Sequence, residues 1–203
     1  MGPFPVRRIA FTTPPEERAR LVRVGITEAT EWIESTEGDS VDSVSFSAFS
    51  GSKLGHWLEA RLSAEPEQAD VVHDLLAHLA GRMIEMHKAK QAEVRSFLDW
   101  LAGYTGRPVD DWALKTHLRR YYEHDWAEMQ RILKRNQRKL PGVALDVEAY
   151  KNEPATKIRA AWETSMETLR PLLARIGATD RLIDCIVYRL YGLTEEEITI
   201  VEG

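Results

Sequence analysis

Histidines, a single cysteine and scattered serines and carboxylates set the chemistry open to this 203-residue chain. His73 and His78 stand five residues apart, on different faces of any helix, whereas helical metal pairs favour a spacing of four, as in His-Glu-x-x-His. They read as structural or surface histidines. His117 and His124 are seven apart and can share a face, but no cysteine lies near them, so no metal is expected there. Cys185, the only cysteine, lies among apolar residues with helical spacing. It reads as a buried, inert thiol and cannot close an internal disulfide, which suits a reducing compartment. Ser50-Gly-Ser-Lys53 lacks the preceding glycine frame of a phosphate-binding loop, and no Gly-x-Ser-x-Gly elbow is present. No acid–base pair, nucleophile or metal set emerges, so the chain alone is expected not to be an enzyme.

One grouping does carry chemistry. Between Lys115 and Lys139 there are eight basic residues, Lys115, Arg119, Arg120, Arg131, Lys134, Arg135, Arg138 and Lys139, against three acidic ones, a local excess of five positive charges. Arg119, Arg120, Tyr121 and Tyr122 combine charge with aromatic surface. Arg131, Lys134, Arg135 and Arg138 recur at helical spacing, so several can reach phosphates together. The competing reading is a solvated helix face. Nothing in the segment has the pattern of a base-reading recognition helix. The whole chain is acidic, with net charge −5, whereas a self-sufficient DNA-binding domain is more often basic. The uneven distribution predicts one nucleic-acid-facing surface on an acidic body. No run of 18 apolar residues is present, so no membrane span is expected. The N-terminal residues lack the apolar stretch of a secretory signal, and a cytoplasmic location is expected.

The elements that must position these residues are mostly helical. Val6–Thr12 alternates enough for one short strand, with Ile9 and Phe11 on a common face. Thr13-Pro-Pro-Glu16 predicts a helix start, with Thr13 as cap and Pro14 at the first helical position. That helix should run to Glu34 and bury Leu21, Val24 and Trp32, with Gly25 weakening it by roughly 1 kcal/mol. Ser35–Ser52 reads as a loop pinned by Val44, Phe46 and Phe49, and Lys53–Leu62 as a short helix.

The longest element should span Glu67–Tyr104, about 55 Å at 1.5 Å per residue. Val72, Leu79, Met86 and Trp100 lie on one seven-residue series, and Leu76, Met83 and Phe97 on another. Lys90 and Glu93 interrupt both, which predicts a more solvated middle. Asp110 or Asp111 should cap a helix through Leu114, Leu118 and Tyr121. Trp126–Lys139 should form another, with Met129, Ile132 and Leu133 buried and Pro141-Gly142 as its stop; Leu145–Glu153 should be a loop or turn. Pro154 should open a helix interrupted by Pro171 and ended by Gly177. A final helix capped by Thr179 or Asp180 should bury Leu182, Ile183, Ile186, Val187 and Leu190, and Gly192 should stop it. Thr194-Glu-Glu-Glu197 is a second capping box. The expected fold is mainly α: an elongated helical bundle with one long central helix and a short N-terminal strand or extended segment. Residues 1–52 would form an N-terminal segment and 53–203 a helical domain.

The terminal run Ile183-Asp-Cys-Ile-Val-Tyr-Arg-Leu-Tyr-Gly-Leu-Thr-Glu-Glu-Glu-Ile198 resembles the extreme C-terminus of Eco57I-like, type IIG adenine-specific DNA methyltransferases of restriction–modification systems. Asp70–Ala80, Met83–Met86 and Lys90–Leu101 resemble the helical region before that tail, and Arg7–Arg18 the stretch where the target-recognition region gives way to it. The family's cofactor-binding glycine motif and Asn-Pro-Pro-Tyr catalytic motif are absent here, and Asn152-Glu-Pro154 is no substitute. Asp146-Val-Glu-Ala-Tyr-Lys151 lacks the Glu-x-Lys spacing of the common restriction nuclease core. The resemblance implies a C-terminal fragment or a separately encoded subunit of a bacterial phage-defence enzyme. It would be a non-catalytic accessory or DNA-positioning region with no cofactor of its own, S-adenosylmethionine belonging to the parent enzyme. The implied partners are double-stranded DNA through Lys115–Lys139, and the methyltransferase core or target-recognition region. The alternative is a helical interaction or dimerisation module that does not touch DNA.

Overall fold

A computed structural model of the chain describes residues 8–36, 45–140 and 153–202. Every regular element among them is helical. The helices are α1 (Pro15–Thr36), α2 (Phe46–Ser50), α3 (Lys53–Leu62), α4 (Ala69–Thr105), α5 (Lys115–Arg119), α6 (Trp126–Asn136), α7 (Glu153–Tyr191) and α8 (Glu195–Glu202). No strand occurs among the described residues: Arg8–Pro14 has no regular structure, and Val6 and Arg7 lie outside them. In place of a strand partner, the segment is held by side chains. The Thr13 amide and hydroxyl donate to Asp70 Oδ2 and Oδ1 at 2.9 and 2.7 Å. Thr13 is thereby engaged by the first turn of α4, and Pro15, not Pro14, opens α1.

The chain forms two compact units, residues 1–86 with 174–203, and residues 87–173. In the first, Ala29 and Trp32 of α1, Leu54 and Leu58 of α3, Val72, Leu75 and Leu79 of α4, and Leu182 and Ile186 of α7 share one core. Phe49 of α2 enters it edge-on to Trp32, their ring centres 6.1 Å apart. The expected loop thus contains a helical turn, with Ser45 Oγ accepting from the Ala48 amide; Val44 lies outside the described residues. Leu21 and Trp32 are buried as expected, but Val24 is 42% exposed. Its neighbour Gly25 is buried, because the Trp57 ring lies where a β-carbon would be.

In the second unit, Phe97 and Leu101 of α4 pack with Leu118, Met129, Ile132 and Leu133, and with Ile158, Trp162 and Leu169 of α7. The interruption expected at Lys90 and Glu93 is not simply solvated. Lys90 Nζ lies 5.4 Å from the centre of the Tyr122 ring, and Glu93 Oε1 accepts a hydrogen bond from Ser165 Oγ at 2.6 Å. Trp100, expected on the buried stripe, is 38% exposed.

α7 is one helix of 39 residues, not two. Pro171 removes one main-chain donor, but it sits on an exposed face, while Leu169 and Leu182 on either side are fully buried. Thr179 does not cap a new helix; its hydroxyl donates to the Arg175 carbonyl one turn back, at 2.8 Å. The expected stop at Gly192 is present, with φ 66°. The amides of Gly192 and Leu193 donate to the carbonyls of Arg189 and Tyr188, the paired bonds of a Schellman ending. α8 then opens with the expected capping box: the Thr194 amide donates to Glu197 Oε2 at 2.9 Å and the Glu197 amide to Thr194 Oγ1 at 3.3 Å. Among the described residues no helix is long and apolar enough to cross a membrane.

Candidate nucleic-acid interface

The basic segment occupies two structural settings. Asp110 and Asp111, expected as helix caps, instead form a 3-10 turn, Val109–Asp111. α5 follows Leu114, whose φ of 62° turns the chain sharply. α6 starts at Asp125, whose carboxylate accepts from the Glu128 amide at 3.0 Å, and continues into a 3-10 turn, Gln137–Lys139. The proposed stop at Pro141-Gly142, the Asp146–Lys151 grouping, and all of the loop or turn expected at Leu145–Glu153 except its last residue lie outside the described residues; Glu153 itself opens α7.

α6 buries Met129, Ile132 and Leu133, as its period required, and also Asn136. With that face inward, Arg131, Lys134 and Arg135 must face outward. Asn136 fixes the end of the helix. Its Oδ1 accepts from the Ala113 amide at 2.8 Å, and its Nδ2 donates to the Ala113 and Ile132 carbonyls at 3.0 and 2.8 Å. Arg107 braces the next turn, donating from Nη1 to the Lys139 carbonyl at 3.0 Å and from Nη2 to the Asp111 carbonyl at 2.7 Å.

The same end of α6 carries an open concavity of about 820 Å³. Arg131, Lys134, Arg135, Arg138 and Lys139 line it, together with Leu114 and Gln137, and no carboxylate is among the described lining residues. The remaining three basic residues lie elsewhere and are engaged by acidic or carbonyl oxygen. Arg119 pairs with Asp110, Arg120 Nη2 lies 2.7 Å from Glu123 Oε2, and Lys115 Nζ donates to the Asp110 carbonyl at 3.3 Å. The structure therefore brings five of the eight sequence-predicted residues together and separates the other three.

Arg131 forks onto a carboxylate. Its Nε and Nη2 donate to the two oxygens of Glu128, both at 2.7 Å. This fork, with the His117 ring nitrogen 2.9 Å from Glu128 Oε1, holds the Glu128 carboxyl below its ordinary range. His117 in turn stacks on His124, ring centres 5.2 Å apart. The rings meet, but not on a shared helix face: His117 belongs to α5, and His124 follows the 3-10 turn Tyr121–Glu123. No metal-ligating group of three occurs among the described residues.

Two further features bear on chemistry. Cys185 is fully buried, and burial pushes its thiol up to about 11, so it is not a nucleophile in the folded chain. Tyr121, Ser165 and Glu93 form a hydrogen-bonded chain, with the Tyr121 hydroxyl 2.6 Å from Ser165 Oγ. Burial pushes the Tyr121 hydroxyl up to about 12, so it keeps its proton, and the chain is a polar tie between α4 and α7. Sequence reasoning missed Arg107, Asn136 and Ser165. Asn136 did leave a signal: it lies seven residues after Met129 and four after Ile132, a polar residue on an apolar face.

No curated protein and no solved structure matches the chain. The profile of a domain of unknown function, DUF8810, matches residues 70–187, a span that encloses the whole second unit and its basic groove. That span is more than half of the chain, and the protein therefore belongs to the DUF8810 family.

Proposed function

We propose that this protein is a non-catalytic, DNA-positioning accessory region of a bacterial, cytoplasmic adenine-specific methyltransferase or restriction–modification system. The observation that carries the DNA role is the groove in which Arg131, Lys134, Arg135, Arg138 and Lys139 converge with no carboxylate among the described lining residues. Such a surface contacts phosphates and releases their counterions, without reading bases. The described groove lining contains no aromatic side chain, which favours duplex over single strands, since single-strand binders stack bases on aromatic rings. The link to a methyltransferase rests on the resemblance of the terminal residues. S-adenosylmethionine and the chemical step would belong to the partner core. The test is duplex binding by fluorescence anisotropy across a salt series, alone and with the cognate methyltransferase. Charge reversal at Lys134, Arg135 and Arg138 together should abolish or strongly weaken binding and flatten its salt dependence. Binding that is unchanged removes the DNA role.

A second reading is an interaction module that does not touch DNA. It is favoured by Ile200 and Val201, which are 80% and 63% exposed on α8, and by Tyr191, exposed at the end of α7. Light scattering and pull-down with the methyltransferase core decide it; a clean monomer without partner affinity excludes it.

A further inference from the structure

The first compact unit contains a cleft unrelated to the basic groove. Ile26 and Ile33 of α1, with Leu79 and Met86 of α4, make its apolar floor. Arg82 and His78 of α4 and Arg175 of α7 stand on its rim, opposed by Glu34. The two hydroxyls in its walls are turned to their own helices: Thr30 donates to the Ile26 carbonyl and Thr179 to the Arg175 carbonyl, both at 2.8 Å. The floor therefore offers no hydroxyl hydrogen to a ligand, and the charged groups are confined to the rim. Arg82 and Arg175 thus bring two guanidinium groups to the described lining.

The volume, about 130 Å³, limits the occupant. An apolar cavity of about 150 Å³ is large enough to hold benzene. This cleft thus admits one ring or a short alkyl chain, with room for a head group at the rim. Arginine recognises a carboxylate by paired, charge-assisted hydrogen bonds. Met86, unbranched and polarisable, can adjust the floor to the shape of the guest.

We propose that this cleft is a binding site for a small organic carboxylate with an apolar body the size of a benzene ring. The apolar body lies on Leu79 and Met86, and the carboxylate faces Arg82 and Arg175. The site lies in the first unit, so it stands or falls independently of DNA binding in the second.

The test uses the full chain with ¹³C-methyl methionine, in which the Met86 resonance is assigned through Met86→Leu. Three probes separate the elements of the proposal: benzoate, benzyl alcohol as the same ring without charge, and acetate as the same anion without a ring. Benzoate should shift the Met86 methyl saturably in the millimolar range, with the other two at least about tenfold weaker, the scale of one charge-assisted hydrogen bond. An Arg82→Gln, Arg175→Gln double variant should weaken benzoate to the level of benzyl alcohol. Its ligand-free Met86 signal should match that of the parent, showing the floor intact; if that signal moves, the single variants carry the same comparison. Absence of a saturable benzoate shift, equal binding of either control, or indifference to loss of the arginines overturns the proposal.

Discussion

Asn136 and Ala113 bond to each other in both directions. The Ala113 amide donates to Asn136 Oδ1 at 2.8 Å, and Asn136 Nδ2 donates to the Ala113 carbonyl at 3.0 Å. Asn136 is fully buried, and the pair locks the end of α6 to the turn that places Leu114 at a φ of 62°. Asn136→Ala leaves main-chain groups of Ala113 and a cavity behind, at a cost of about 2 kcal/mol or more. Asn136→Asp keeps the acceptor but cannot donate to Ala113 or Ile132, and it buries a charge, so it should be at least as destabilising. Urea unfolding of the two variants checks this; a change within about 0.5 kcal/mol, as at an ordinary surface site, contradicts the clamp.

Asp70 is the corresponding tie in the first unit. Burial alone would raise its carboxyl, but the hydroxyl and amide of Thr13 and the amide of Val71, with Arg18 nearby, outweigh burial and hold it below its ordinary 3.8. A carboxyl lowered by folding contributes stability that is fully present above its unfolded value and is lost as pH falls through its folded one. The tie should therefore be intact at pH 7 and weaken only below about 3.8. Asp70→Asn should lose about 2 kcal/mol at pH 7 and show a shallower loss of stability below that point. Parallel acid slopes for the variant and the parent chain would place the acid sensitivity in another group.

Gly25 and Gly81 are both glycines inside helices, yet their replacement should act in opposite directions. A β-carbon at Gly25 would stand 2.6 Å from Cζ2 and 2.7 Å from Cη2 of the Trp57 ring, whereas one at Gly81 meets nothing within 4 Å. Gly25→Ala should cost about 1–3 kcal/mol through overpacking, despite the better helix former. Gly81→Ala should gain up to about 1 kcal/mol. Thermal or urea unfolding gives both signs in one experiment, and stabilisation at Gly25 would show that Trp57 yields easily.

Local chemistry made much of this architecture readable in advance. Lys53–Leu62 has the bounds its sequence predicts, and Gly192 and Thr194 end one helix and start the next as their residue types require. These signals act within a few residues. The misreadings involve partners far along the chain. Thr13 looked like a cap until Asp70 claimed it, and Val24 was placed inside because nothing local shows that the Trp57 ring sits against Gly25. Thr179 and Pro171 carry breaking signals that tertiary burial of Leu169 and Leu182 overrides. At the candidate site, the charges were legible, but their partners were not: Asp110 folds back onto Arg119, and Glu123 and Glu128 reach Arg120 and Arg131.

That division of charges makes the DNA reading testable residue by residue. Arg135 and Arg138 line the groove, whereas Arg119 and Arg120 sit outside it and pair with Asp110 and Glu123. If the groove holds phosphates, Arg135→Gln and Arg138→Gln should each reduce the slope of log affinity against log salt by about 1. Arg119→Gln and Arg120→Gln should leave the slope nearly unchanged, because each removes a cation already satisfied by a carboxylate. Long-range attraction would not distinguish the four, since all change the net charge equally and exposed charges are screened within about 10 Å at moderate salt. Equal slopes for all four variants would therefore reduce the effect to bulk electrostatics, while loss confined to Arg135 and Arg138 would locate the contact in the groove at the end of α6.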